Sequence, residues 1–366
     1  MSNNKAVKYT PEEIIAKLQA HPKFGSQIKP ITKHQSAIIS SGLEPAVVIA
    51  GAGSGKTETM SNRVLYLVAN ELATPDQILG LTFTRKAAGE LSVRIRKRLR
   101  QLSQLPEFKH ITSINTAVTT YHSYAGKLLS EHAIRYGIDA DAQPLGEAAI
   151  WQIASDVVRN WSDDSYRNQS AVSTVIKDLL GLSKFMLEHQ VKAADIETID
   201  NELLEKLETL AGSTNEETRA VARAMQQRNS LLPMVAAFMQ RRQAAGEFSF
   251  DDQMSLAADI AENFADVGAL ERGKYTVVLL DEYQDTSQSQ VRMLSCLYGA
   301  GHPVTAVGDP SQAIYTWRGA SAGTLAAFGK YFPKTPGQSG KTIFTLPETF
   351  RNDKIILNAA NAIGAH

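Results

Sequence analysis

A glycine-rich turn between an apolar run and an amphipathic segment is the feature that most constrains this chain. The run at residues 46–50 is mostly β-branched, and it leads directly into Gly51-Ala-Gly-Ser-Gly-Lys-Thr57. Apolar residues then recur at helical spacing through residues 57–69. Glycines between a strand and a helix let backbone N–H groups wrap a phosphate chain at the helix N-terminus. The sequence therefore predicts a nucleotide phosphate site here.

The residues of this loop have separate expected roles. Lys56 can reach the β and γ phosphates, and the hydroxyl of Thr57 can ligate Mg²⁺. The loop departs from the usual pattern only at its first position, where alanine replaces glycine. The residues predicted to hold the nucleotide are Ala50, Gly51, Ala52, Gly53, Ser54, Gly55, Lys56 and Thr57.

Two adjacent carboxylates follow a later apolar run at residues 275–280. Asp281 is placed to supply the second Mg²⁺ ligand that a phosphate loop needs. Glu282 beside it can orient and deprotonate an attacking water, as hydrolysis requires. A kinase would instead position an acceptor substrate at this place. The sequence contains no Asn-Lys-x-Asp element of the kind that GTPases use to read their base. These residues favour hydrolysis of a nucleoside triphosphate.

The pattern of apolar segments predicts the fold class. Near-continuous apolar runs at residues 46–50, 78–82, 275–280 and 302–307 alternate with helical patterns, which is typical of a mainly parallel sheet covered on both faces. Only helical spacing recurs between residues 128 and 246. We therefore predict an α/β domain interrupted by an inserted all-α domain.

Composition narrows the class of protein without identifying a partner. Hydrophobic residues make up 43% of the 366 positions, and 38 basic residues balance 38 acidic ones. This usage is typical of a globular protein. The single cysteine, Cys296, cannot form an internal disulfide, which favours a reducing compartment. No apolar run approaches the length of a membrane helix, so we expect a cytoplasmic protein without a membrane partner.

Longer motifs are more specific. Residues 82–88, 281–286 and 307–320 closely resemble, in order and spacing, motifs of superfamily 1 DNA helicases of the UvrD/Rep/PcrA type. Further segments resemble other motifs of that family, at residues 32–35, 120–123, 250–252 and 344–351. The resemblance implies a RecA-like P-loop NTPase domain with a mostly parallel sheet, into which the helical domain is inserted.

The resemblance also implies roles at the nucleotide. Gln35 would hydrogen-bond the adenine edge while Phe350 stacks on its ring. Gln312 would sense the γ-phosphate, and Arg351 would approach it as an arginine finger. The implied catalytic residues are Lys56, Glu282, Gln312 and Arg351, with ATP as the nucleotide and Mg²⁺ held by Thr57 and Asp281.

A second set of residues is expected to contact DNA. Tyr315 and Trp317 alternate with small residues on a loop, and such aromatics can stack on unpaired bases of any sequence. By resemblance, the same groove would be lined by Phe83, Tyr121, His122 and Arg318. Basic residues cluster at positions 94–100, where they would contact DNA phosphates or form a solvated helix face.

Two positions depart from the family pattern. Glu58 stands where members commonly have arginine just after the phosphate-loop threonine, which would weaken nucleotide affinity. Phe350 replaces the more usual tyrosine, a change that preserves stacking.

The motif order predicts a division of the chain. Residues 1–127 form the first part of the motor domain, 128–246 the helical insertion, 247–340 the second part of the motor domain, and 341–366 the start of a truncated second motor domain. The fifth and sixth helicase motifs do not occur before His366. This segment therefore resembles the front half of a longer helicase and is expected to be weakly active or inactive alone.

The prediction is an ATP-dependent DNA helicase that couples hydrolysis to translocation on single-stranded DNA and to duplex unwinding in repair or recombination. Its expected partners are single-stranded DNA, single/double-strand junctions and proteins of a repair complex. Two alternatives stay open: the motor part of a helicase–nuclease for break processing, and a non-motor ATP-dependent DNA-binding switch.

Overall fold

The computed structural model describes residues 7–139, 142–162, 171–209, 216–299, 301–315 and 323–364. The chain divides into two compact units. The α/β unit comprises residues 1–124, 261–286 and 291–366, and the helical unit comprises residues 125–260 and 287–290. The functional division proposed above, at residues 127, 246 and 340, stays a prediction.

All the strands lie in the α/β unit, whereas the helices are divided between the two units. The strands are β1 Ala46–Ala50, β2 Ile78–Thr82, β3 Ala117–Thr120, β4 Val277–Leu280, β5 Val304–Gly308 and β6 Ile343–Leu346. The helices, in chain order, are α1 Pro11–Gln19, α2 Lys33–Ile39, α3 Lys56–Ala69, α4 Arg85–Leu102, α5 Tyr121–His132, α6 Glu147–Arg159, α7 Val172–His189, α8 Ala193–Thr209, α9 Glu216–Ala244, α10 Phe250–Asn263, α11 Ala265–Lys274, α12 Gln288–Tyr298, α13 Phe328–Tyr331 and α14 Lys354–Gly364.

The six strands form one parallel sheet in the order β3-β2-β4-β5-β1-β6. Every residue of β2, β4 and β5 is buried, so both faces of the sheet centre are covered. This confirms the predicted α/β class with a parallel sheet. In such sheets ligands bind at the carboxyl ends of the strands, where the order of connections reverses.

Strand β6 pairs with β1 through Ile49 and Thr345, although it lies beyond the predicted boundary at residue 340. Its burial alternates along the strand, with Phe344 and Leu346 buried. This alternation is typical of an edge strand. The pairing of β6 with β1 holds the segment that follows at the edge of the sheet.

Arg63 fixes helix α2 against helix α3. Its side chain is fully buried, and Nη1 donates to the carbonyls of Ile38, Ile39 and Ser41 at 2.9–3.1 Å. Nη2 donates to the carbonyl of Gly42 at 3.1 Å. One guanidinium therefore binds four carbonyl groups at and just beyond the C-terminus of α2.

The helical unit has its own core. Apolar residues of α6, α7, α8 and α9 pack together, among them Val158, Val175 and Phe238. Pro233 lies inside α9. Among the residues placed by the structure, no helix is long and apolar enough to cross a membrane.

Candidate nucleotide site

The phosphate loop joins β1 to α3 in a conformation that requires glycine. Gly53 and Gly55 have φ angles of 75° and 86°, and Gly55 caps the N-terminus of α3. A Cβ atom on Gly55 would lie 2.8 Å from Nε2 of Gln35, and one on Gly53 would lie 2.5 Å from Cβ of Arg351. Side chains at these positions would clash with Gln35 and Arg351, which lie against the loop.

Ser54 supports a phosphate ligand in this loop. Its side chain is buried, and its hydroxyl has no hydrogen-bond partner in the described part of the chain. A buried polar group without a partner is costly, and a phosphate oxygen would satisfy it. The loop opens into a cavity of about 410 Å³, lined by residues 52–58 together with Arg94, Glu282, Gln312, Phe350 and Arg351.

Lys56, Asp281 and Glu282 meet at the carboxyl ends of β1 and β4. Nζ of Lys56 lies 3.5 Å from Oε2 of Glu282, and the N–H of Glu282 donates to Oδ1 of Asp281 at 3.1 Å. Burial, reinforced by the charge of Glu282, raises the pKa of Asp281 to about 6 despite the nearby Lys56. A divalent cation would favour the ionised form, so this carboxylate and the Thr57 hydroxyl fit Mg²⁺.

The metal expected at this site would have few protein ligands. In the described ranges no group of three or more His, Cys, Asp or Glu side chains is placed to hold a metal ion. A metal bound with few protein ligands, completed by phosphate oxygens and water, is the usual mode for Mg²⁺.

Gln284 connects the two carboxylate-bearing loops, and sequence reasoning missed it. Its Nε2 donates to Glu282 at 2.8 Å and to Asp285 at 3.1 Å, while its Oε1 accepts from the N–H of Asp309 at 3.0 Å. Asp309 in turn accepts from Nε2 of Gln312 at 2.5 Å. Hydrogen bonds therefore run without a break from Glu282 to Gln312, the residue predicted to sense the γ-phosphate.

A second cavity of about 330 Å³ adjoins the phosphate loop and contains the residues predicted to hold adenine. Gln35 lies in the first turn of α2, where its Oε1 accepts from the N–H of Thr32 at 3.0 Å. This capping box leaves the amide Nε2 directed toward Gly55. Phe350 lines the same cavity.

The segment after β6 closes against the phosphate loop. The N–H of Phe350 donates to the carbonyl of Gly53 at 2.9 Å, and the hydroxyl of Thr349 donates to the carbonyl of Ala52 at 3.0 Å. The structure therefore brings Phe350 and Arg351 to the loop.

Two residues of the expected DNA groove also meet. The rings of Phe83, after β2, and Tyr315, after β5, stack with centroids 4.5 Å apart and planes at 25°. His122 is exposed at the start of α5. Trp317 and Arg318 lie outside the described residues.

Tyr121 departs from the expectation that it lines this groove. It is fully buried, because α5 begins immediately after β3 and its first side chain turns into the core. Its hydroxyl donates to the carbonyl of Asp281 at 2.9 Å, and burial raises the pKa of Tyr121 well above its ordinary value. Tyr121 thus supports the loop that carries Asp281 and does not face solvent.

Tyr121→Phe removes this hydroxyl and leaves the Asp281 carbonyl without its donor. We expect the free energy of unfolding, measured in urea, to fall by about 1 kcal/mol. The control is Tyr9→Phe in the same unit, whose ring packs edge-on against Phe108 and whose change should stay within about 0.5 kcal/mol. Equal losses in both variants would contradict the importance of the Tyr121 hydrogen bond.

Comparison with known proteins gives a consistent set of matches. The family model described as UvrD/REP helicase N-terminal domain matches residues 31–333. A Staphylococcus aureus protein named ATP-dependent DNA helicase PcrA is 28% identical over 330 residues, covering 90% of this chain and 39% of the relative. A protein of the same name from Staphylococcus epidermidis is 27% identical over 340 residues, covering 93% of this chain and 40% of the relative. The chain therefore spans about two fifths of the length of these relatives.

Proposed function

The chain belongs to the UvrD/REP helicase N-terminal domain family, and from this premise we propose that it is the ATP-binding part of an ATP-dependent DNA helicase. One observation carries the proposal. The phosphate loop, the Lys56–Glu282 pair and the stacked Phe83–Tyr315 rings all lie at the carboxyl edge of one parallel sheet. Such an arrangement suits a protein in which a nucleotide and an unpaired strand influence each other.

At the nucleotide, each residue has a distinct task. Lys56 would leave its contact with Glu282 to bind the β and γ phosphates, and Glu282 would then take the proton of the attacking water. Gln284 would hold Glu282 in place through the hydrogen bond described above. Mg²⁺, held by Thr57 and Asp281, would neutralise charge on the phosphate oxygens when bound. Arg351 would add a positive charge near the γ-phosphate.

The loop after β5 supplies the link to DNA. It carries Asp309 and Gln312, which belong to the hydrogen-bonded series that begins at Glu282, and it continues to Tyr315. A change at the γ-phosphate that moves Gln312 would therefore reach the Phe83–Tyr315 pair. Bases of single-stranded DNA would stack there without sequence preference.

The full proposal is translocation on single-stranded DNA and duplex unwinding, in DNA repair or recombination in the cytoplasm. Its partners would be single-stranded DNA, single/double-strand junctions and proteins of a repair complex. The test is ATP hydrolysis and strand displacement by the full-length protein, with and without single-stranded DNA. Hydrolysis stimulated by DNA and accompanied by displacement is expected. ATP binding with neither would identify a non-motor switch and contradict the proposal.

Phe83→Ala should weaken binding of single-stranded DNA by about fivefold to tenfold, because one stacking surface is lost. The measurement is fluorescence anisotropy with a labelled poly-dT strand and a mixed-sequence strand, which should lose affinity alike. Ile343→Ala is the control, since this apolar side chain is exposed and lies on β6, away from the Phe83–Tyr315 pair in the sheet order. A loss confined to one of the two sequences would argue against stacking.

A further inference from the structure

Glu58 is an acidic residue next to the phosphate loop, and it pairs with two arginines. It lies in the first turn of α3, shortly after Lys56. Its Oε1 accepts from Nη2 of Arg98 at 2.5 Å, and its Oε2 accepts from Nη1 of Arg94 at 2.9 Å. Both arginines belong to α4, so two long side chains from a neighbouring helix hold one carboxylate in a fixed orientation. Arg98 is largely buried in this pairing, whereas the side chain of Arg94 stays 44% exposed.

The charges around Glu58 keep it ionised. Burial by itself would raise the pKa of Glu58, but the guanidinium groups of Arg98 and Arg94 outweigh this effect and hold the pKa below its ordinary value. The side chain of Glu58 is 24% exposed, while that of Arg98 is only 10% exposed. The three side chains together carry a net positive charge, so they do not repel a triphosphate.

Glu58 lies between the predicted phosphate site and the predicted adenine site. Glu58 and Arg94 line both the cavity at the phosphate loop and the cavity that contains Gln35 and Phe350. A nucleotide with its phosphates on the loop and its base between those two residues must pass its ribose through the part that the cavities share. Glu58 lies in that shared part.

The chemistry of a carboxylate suits ribose hydroxyl groups. An ionised carboxylate only accepts hydrogen bonds, and its two oxygens offer about four acceptor positions, of which the arginines use two. The 2′ and 3′ hydroxyls of ribose are donors, and acidic residues read them in dinucleotide-binding folds. An arginine, which the resemblance leads one to expect here, has no acceptor and could not do so.

We propose that Glu58 accepts hydrogen bonds from the ribose hydroxyls of ATP, and that Arg94 and Arg98 are the positioning residues that hold it there. The inference rests on the nucleotide site of the proposed function and adds a preference for ribonucleotides over deoxyribonucleotides.

The test compares dissociation constants of ATP, 2′-dATP and 3′-dATP with Mg²⁺, measured by competition against a fluorescent ATP analogue. The wild-type chain should bind at least one deoxynucleotide about tenfold more weakly than ATP, because a hydrogen bond to a charged group is lost. Glu58→Ala should weaken ATP binding to the level of that deoxynucleotide while leaving the deoxynucleotide nearly unchanged. Glu58→Gln, which preserves the shape of the side chain, should also reduce the preference for ATP. This second variant provides the test if Glu58→Ala fails to fold.

Glu44→Ala is the matched control, because Glu44 also pairs with a basic residue, Lys334 at 2.7 Å. This variant should keep the wild-type preference for ATP. Equal binding of the three nucleotides by the wild type, with affinity that depends on Lys56, would overturn the ribose proposal alone. A preference that survives in both Glu58 variants would overturn it too. Failure of the wild type to bind any of the three would overturn the nucleotide site and this proposal together.

Discussion

Lys56→Ala is expected to weaken binding of an Mg-ATP analogue by about 100-fold. The Lys56 side chain is largely buried at the phosphate loop, and its ammonium group lies 3.5 Å from the Glu282 carboxylate. Its removal deletes the charge-assisted hydrogen bonds to the β and γ phosphates, which together are worth about 3 kcal/mol. It also leaves Glu282 without a compensating charge beside the triphosphate.

Titration of a fluorescent ATP analogue into both proteins measures this effect. Lys8→Ala provides a control with the same change of charge, because Lys8 pairs with Glu71 on the surface of the same unit. Its dissociation constant should match that of the wild type. If Lys56→Ala also matched the wild type, the nucleotide would have to bind somewhere other than this loop.

Glu282→Gln should preserve nucleotide binding but reduce hydrolysis by about 10²-fold or more, the usual effect of losing a general base. Glutamine keeps the oxygen that accepts the hydrogen bond from Gln284, so the arrangement of the loop should persist. Glu282 also adopts a left-handed backbone conformation with φ of 49°, which an isosteric change leaves undisturbed. The effect should therefore fall on the chemical step.

Single-turnover hydrolysis in the full-length protein, with binding measured in parallel, separates the two steps. Glu107→Gln is the control, because Glu107 also pairs with a lysine, Lys17, and neither residue lines the nucleotide cavities. A near-native hydrolysis rate for Glu282→Gln would place the general base on another residue. Equal losses of binding and rate would mean that Glu282 acts in ground-state binding instead.

Strands β1, β2, β4 and β5 and the phosphate loop could be predicted because their signals are local. A β-branched run followed by Gly-Ser-Gly-Lys-Thr fixes strand, turn and helix within a few residues. Strands β3 and β6 gave no such signal. Each has four residues, and each lies at an edge of the sheet where half-burial does not demand a continuous apolar run.

Contacts between distant parts of the sequence account for what was missed at the site. Tyr121 was expected to face DNA, yet its hydroxyl reaches the carbonyl of Asp281, 160 positions away. Glu58 was expected only to weaken nucleotide affinity, yet it pairs with Arg94 and Arg98 on the next helix. No spacing rule reports such pairs, because they depend on how two elements pack.

By itself, the sequence determined the class of sheet and led to the prediction of a phosphate loop with Lys56, Asp281 and Glu282, since backbone preferences and side-chain chemistry act over a few neighbouring residues. Only the tertiary structure decided which side chains those groups touch. The parallel sheet brings the ends of β1, β4 and β5 to one edge, and there Gln284 joins Glu282 to Asp309. Hydrogen bonds act over about 3 Å, so the partner of a side chain is set by packing rather than by distance along the chain.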